Sequence, residues 1–237
     1  MSFESQGANQ QFGASSTAAI LAQESASAFM AKVYRWMTLG LAITAGTAFY
    51  VAQDQTAFSM VRSFFWPLVI AELAIVFVFS AIAQRLSAPI AGAMFLGYSF
   101  LSGLTMSGVF FIYKLGSVTT AFAITAAMFG AMSFYATVTK RDLSSWGTFL
   151  FMGLIGVLVA GIVNVFLQSS MLAFVKSCAA VIVFAGLTAY DTQKLRQIHA
   201  SSGYSSAGSL AVNGALVLYL DFINLFLSIL RLFGSRR

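Results

Sequence analysis

Charge is what this chain has least of. Asp, Glu, Lys and Arg make up 8% of its 237 residues, against 59% that are hydrophobic. A soluble globular surface carries roughly 25% charged residues, so an aqueous exterior is excluded and the surplus apolar surface needs lipid as its solvent. A single cysteine, Cys178, rules out an intramolecular disulfide, and its place in an apolar run reads as a small core hydrophobe. A single histidine, His199, in or beside a polar loop, reads as an interfacial or solvated side chain. With no second histidine near it, neither a His/Cys metal site nor a Ser–His intramembrane protease is indicated. No glycine-rich phosphate loop is present either. The chain is expected not to be an enzyme and to need no cofactor.

The net charge is +6, which in another chain could point to nucleic acid. Here the basic residues stand singly or in pairs at the ends of apolar runs: Lys32/Arg35, Lys140/Arg141, Lys194/Arg196, Arg236/Arg237. That is the distribution of flanking charges at a membrane interface. No basic patch with interleaved aromatics occurs, so nucleic acid is not an expected partner; the lipid bilayer is. Residues 1–28 are rich in Gln, Ser, Ala and Gly, with Glu4 and Glu24 as their charges, and lack the basic and apolar regions of a signal peptide. They are expected to form a mostly disordered leader, with a helical turn near 17–28. The membrane domain then runs from 29 to 237.

A helix needs about 20 apolar residues to cross the hydrocarbon core. Charges, Pro, Gly and polar clusters delimit seven such segments: 37–52, 64–83, 89–113, 118–139, 146–167, 172–190 (continuing as a polar turn to about 198) and 209–233. The first is short unless it begins near Phe29. Pro89 falls in the first turn of the third, where proline is tolerated, and Trp66 and Trp146 sit near span ends. The fold class is all-α integral membrane with seven transmembrane helices. With the N-terminus cytoplasmic, the inner segments hold Lys32, Arg35, Arg85, Lys140, Arg141, Lys194 and Arg196, and the outer loops hold Arg62, Lys114 and Lys176. That bias supports N-inside. The C-terminal Arg231, Arg236 and Arg237 run against it, so either they are outvoted or the last segment re-enters without crossing. Small residues Ser99, Gly103 and Ser107 recur every four positions, and Gly153, Gly156 and Gly161 thin the fifth segment; both sets are expected to let helices approach closely.

Three carboxylates lie within or close to the spans: Glu72, Asp191 and Asp221. An acid facing lipid costs several kcal/mol, so such residues normally face a partner or a water-filled cavity. Asp191 has a structural alternative, an ion pair with Lys194 one turn on. Asp221 has apolar neighbours, and its companion on the same helix face is Asn224. The midpoint of 191 and 221 is 206, inside a Ser/Gly-rich turn, so two antiparallel helices would carry both acids to a similar depth. If they meet, both cannot ionise cheaply: at about 4 Å and an effective dielectric of about 20 the repulsion is on the order of 4 kcal/mol. The pair would share one proton and titrate as a unit. A charged pair would also offer the hard oxygen ligands that calcium favours, too few for a tight site.

The segment Leu218-Tyr219-Leu220-Asp221-Phe222-Ile223-Asn224-Leu225-Phe226, running on to Gly234, closely resembles the signature of the Bax-inhibitor family. Tyr190-Asp191-Thr192-Gln193 resembles that family's second marker, and Tyr34-Arg35-Trp36-Met37-Thr38-Leu39-Gly40-Leu41 its first helix. The resemblance covers about Phe29 to the end. It implies seven helices, with the last one central between two three-helix layers. It implies a pH-sensitive calcium leak, calcium being the permeant ion, in a bacterial inner (plasma) membrane. The gating acids become Asp191 and Asp221, and the second-helix acid becomes Glu72. Some relatives carry a run of arginines at the end of the second helix, one of which pairs with the sixth-helix acid. Here Arg85 stands alone after Ala83-Gln84, and it is expected to latch Asp191 in the closed form.

Two other readings use the same residues differently. A regulatory protein that binds and restrains a membrane protease such as FtsH, as the resemblance also implies, would place weight on 1–28 and would keep its activity without the aspartates. A proton-coupled transporter would use the acids beside a substrate pocket.

Overall fold

The computed structural model describes the backbone of residues 4–201 and 207–237, with side chains except those of residues 4–25, 84, 200, 201 and 207. It is helical throughout, with no strand among the described residues beyond one isolated bridge, Tyr113 to Arg236. The helices are α1 (Glu4–Gln53), α2 (Gln55–Ser63), α3 (Phe65–Ile82), α4 (Ala88–Met106), α5 (Gly108–Ile112), α6 (Leu115–Val138), α7 (Ser144–Leu167), α8 (Ser170–Ser201) and α9 (Ala207–Phe233). A 3-10 turn, Ala83–Arg85, follows α3.

Six helical segments among the described residues are long and apolar enough to cross a membrane: Phe65–Ile82, Ala88–Ile112, Leu115–Val138, Ser144–Leu167, Ser170–His199 and Gly208–Phe233. Their outward faces carry large apolar side chains such as Phe77, Phe149, Phe151 and Phe166, which only lipid can cover. The protein is an integral membrane protein. α1 is not among the six. Its buried stripe of Phe29, Val33, Met37, Gly40, Thr44, Ala48 and Val51, spaced three or four apart, packs on α4 and α9. A helix facing protein in this way can carry Thr and Gly where a lipid-facing one needs Leu.

Several boundaries differ from expectation, each for a local reason. α1 is helical from Glu4, where an irregular leader was expected; residues 14–28 are rich in alanine and hold no proline or glycine to stop it. The third segment breaks at Ser107, whose backbone N–H turns back to Leu104 O at 3.2 Å and whose hydroxyl donates to the same carbonyl at 2.6 Å. The polar turn expected after 190 is continuous helix in α8, because Thr192 and Leu195 stay buried and keep it packed. An unforeseen helix, α2, starts where Asp54 Oδ1 accepts from the N–H groups of Thr56 (2.8 Å) and Ala57 (3.3 Å). Pro89 lies in the first turn of α4 as expected.

α9 is the most buried of the six apolar segments and packs against α1, α4, α6 and α8. α3 and α7 are the least buried, with Phe79 and Leu150 respectively as their one buried side chain. Ser209 Oγ donates to Ala83 O (2.9 Å), which sets the start of α9 beside the end of α3. At its far end, Lys114 N–H donates to Ser235 O (3.1 Å) and Arg237 N–H to Ile112 O (3.0 Å). α9 therefore runs the whole length of the bundle, and Arg236 and Arg237 lie at the same end as Lys114.

Close approach on small residues is seen where the Ser99/Gly103 stripe meets α1. A methyl added at Gly103 would come within 2.6 Å of Thr47 Cβ, and one at Gly40 within 2.5 Å of Phe95 Cζ. Gly153 meets Val183 of α8 (2.8 Å) in the same way. Gly156 faces open space and Gly161 comes no nearer than 3.8 Å to Lys176, so these two are not contact positions.

Candidate functional site: an acid-lined cavity

α8 and α9 are antiparallel neighbours, so the turn between them returns the chain to the same depth. Asp191, ten residues before the end of α8, and Asp221, fourteen residues into α9, come to the same cavity across that interface. Asp221 is 5% exposed, and its Oδ2 receives no hydrogen bond. Two ionised carboxylates are acceptors only, so a hydrogen bond between them requires a proton on one. A buried acceptor without a donor is costly, and a shared proton removes that cost.

Both aspartates line one cavity of about 760 Å³ that Glu72, Tyr98, Lys194 and Asn224 also line. Its walls come from α3, α4, α7, α8 and α9. The three acids singled out in the sequence, and Asn224, thus share one space. Glu72 Oε1 accepts from Thr105 Oγ1 of α4 at 2.7 Å. Asn224 Nδ2 donates to Leu220 O at 2.8 Å, leaving its carbonyl oxygen for the cavity. Among the described residues no three His, Cys, Asp or Glu side chains cluster tightly enough to hold a metal ion. Glu72 therefore lines the cavity without completing a ligand set with the aspartates.

Arg85 is not part of this space. It is exposed at the end of the 3-10 turn, does not line the cavity and makes no ion pair with Asp191. The cation that lines the cavity with Asp191 is Lys194, one turn along α8, whose ammonium stands 5.4 Å from the centre of the Tyr190 ring. An arginine three residues beyond α3 is carried off by the 3-10 turn, whereas i and i+3 on one helix are held on one face. His199 is also placed differently from expectation. It lies in α8, half-buried and stacked on Phe29 of α1 with ring centres 4.3 Å apart.

Other residues of the site were not foreseen. Gln193 clamps the 141–143 link: its Oε1 accepts from Leu143 N–H (2.7 Å) and its Nε2 donates to Arg141 O (2.9 Å). Gly147 of α7 is the floor on which Tyr190 lies, since a methyl there would come 2.6 Å from Tyr190 Cζ. The lone glycine near the start of α7 was the available signal. Thr105 and Tyr98 gave none, because threonine and tyrosine in an apolar helix are unremarkable until their neighbours are known.

Comparison with known proteins finds a family match and several relatives. The profile of the family described as "Inhibitor of apoptosis-promoting Bax1" matches residues 26–237. The inner membrane protein YbhL of Escherichia coli K12 is 48% identical over 215 residues, covering 88% of this chain and 92% of the relative. An uncharacterized protein of Deinococcus radiodurans is 50% identical over 210 residues, covering 88% and 90%. An uncharacterized membrane protein of Streptococcus pyogenes serotype M1 is 37% identical over 211 residues, covering 87% and 92%.

Proposed function

The chain belongs to the family of inhibitors of apoptosis-promoting Bax1, and we propose that it is a pH-sensitive calcium leak of a bacterial inner membrane, opened when the Asp191/Asp221 pair loses its shared proton. The observation that carries this reading is the buried Asp221 Oδ2, without a donor, beside a second carboxyl in a cavity large enough for water. With the proton in place the two helices are held together and the pair has little affinity for a divalent ion. Its loss creates like charges across the α8/α9 interface, which push the helices apart and attract a hydrated cation. Such a site binds weakly, as a pathway requires. In this reading the protein conducts an ion and catalyses no reaction.

The same reading takes residues 29–53 of α1 as a seventh crossing. α1, α3 and α4 then form one layer and α6, α7 and α8 the other, with α9 between them; the pairings of α4 with α1 and α3, and of α8 with α6 and α7, support it. Lys32, Arg35, Arg85, Lys140, Arg141, Lys194 and Arg196 fall near one end of this bundle, which the N-inside reading makes cytoplasmic. The name of the Escherichia coli relative supports the choice of membrane.

The test is calcium flux into liposomes holding the purified protein. Flux should rise with pH between about 6 and 8, with a midpoint belonging to the coupled pair. Asp221→Asn, nearly isosteric, should make it largely independent of pH over that range. A mutant that kept the wild-type profile would remove the pair from the mechanism.

A further inference from the structure

A second cavity, of about 440 Å³, lies towards the opposite end of the bundle between the start of α3, α7, α8 and α9. Lys176 of α8 and Arg231 of α9 both line it. No carboxylate lines it, and among the described residues neither cation makes an ion pair. Two like charges brought together without a counter-charge call for an anion. We propose that this cavity binds an anionic phospholipid, its phosphate between Lys176 and Arg231 and an acyl chain along α7.

Depth and wall chemistry select a lipid over a free anion. Arg231 is in the last turn of α9, and Lys176 is six residues into α8, about 9 Å along the helix from its start. Trp66, which opens α3 and lines the same cavity, marks the interfacial level where headgroups lie. The α7 wall is Val165, Ile162 and Leu158, spaced three and four apart on one helix face and exposed; it runs from near the end of α7 past Gly161, the level of the Lys176 ammonium, to Leu158 further in. A cation pair beside an exposed aliphatic track that continues inward to Leu158 matches a molecule with a phosphate at one end and a hydrocarbon chain at the other. A free phosphate would leave the track uncovered.

This cavity adjoins the acid-lined one, with Leu158, Phe184 and Asn224 lining both. A bound phosphate would neutralise a positive barrier on any cation route through the two. The site itself stands on its own geometry; only that effect on conduction rests on the leak proposed above.

Native mass spectrometry of the full-length protein in detergent tests binding without any flux measurement. Phosphatidylglycerol and phosphatidylcholine with identical chains are titrated against wild type, Lys176→Gln/Arg231→Gln, and the control Arg236→Gln/Arg237→Gln. Wild type and control should prefer phosphatidylglycerol by about tenfold or more, and the Lys176/Arg231 variant should lose that preference. Arg231→Gln alone, at an exposed position, gives the same reading if the double variant does not fold, with at least half of the logarithmic preference lost. Equal binding of the two lipids, or a variant that binds as wild type does, overturns the site. Displacement of phosphatidylglycerol by millimolar inorganic phosphate overturns the lipid assignment in favour of a free-anion site. If binding follows these expectations while calcium flux is absent, the lipid site stands and the leak reading fails.

Discussion

The hydroxyls of Thr44 in α1 and Tyr219 in α9 lie 2.7 Å apart, deep in the bundle and 175 residues apart in sequence. Thr44 Oγ1 also lies 2.8 Å from Ser99 O, so α1, α4 and α9 meet at one polar point. Tyr219 is 0% exposed, with its ring edge-on to Phe95 and Tyr98 of α4. Two residues on, a helix has turned by about 200°. Fixing Tyr219 against α1 and α4 thereby turns Asp221 towards α8, where Asp191 waits. The rotation of the central helix is set on one face and used on the other.

Tyr219→Phe keeps the ring and removes the hydroxyl, so it should lower stability by about 1 kcal/mol, the net worth of one buried hydrogen bond. Thermal unfolding in detergent reads this. Combined with Thr44→Val, the second change should cost less than it does alone, because the partners are already separated. Fully additive losses would show that the two hydroxyls do not act on each other.

Gly103→Ala should destabilise by about 1–3 kcal/mol through overpacking, since its methyl would meet Thr47 Cβ at 2.6 Å and Thr44 O at 2.8 Å. Gly156→Ala, which meets nothing within 4 Å, should change stability by no more than about 0.5 kcal/mol. Equal effects of the two in the same unfolding assay would contradict the close α1–α4 contact.

Lys194, not Arg85, faces Asp191. Lys194→Gln removes a cation that favours the charged carboxylate, so the midpoint of calcium flux should move to higher pH. Arg85→Ala, at an exposed position outside the cavity, should leave both basal flux and its pH profile unchanged. A raised basal leak in Arg85→Ala, abolished in the background of Asp191→Asn, would restore the arginine latch.

Deletion of residues 2–28 should leave insertion and flux intact, because the stripe from Phe29 to Val51 that packs α1 on α4 and α9 is retained. The family match begins at residue 26, in keeping with this. A truncated protein that inserts normally and conducts no calcium would shift weight to the regulatory reading, in which 1–28 engages a membrane protease.

Hydropathy and charge, counted along the chain, were sufficient for the membrane, for six of the seven expected segments as helices long and apolar enough to cross it, and for the three acids worth watching. Each depends on a property of the residue alone: the cost of leaving apolar surface in water, or of putting a carboxylate in lipid. Even the meeting of Asp191 with Asp221 was legible, because equal distances from a shared turn put two helical residues at one depth. Partner choice across longer separations was not. Arg85 and Lys194 were both candidate partners for Asp191 near the same end of the bundle, and only helix direction and the 3-10 turn after Ile82 decide which one shares its cavity. Thr44 and Tyr219, Glu72 and Thr105, and Lys176 and Arg231 are likewise joined by how helices pack, and packing depends on the side-chain shapes of whole faces. A one-dimensional pattern gives the depth of a residue in the membrane; the rotation of its helix, and so its neighbour, is fixed only by the fold.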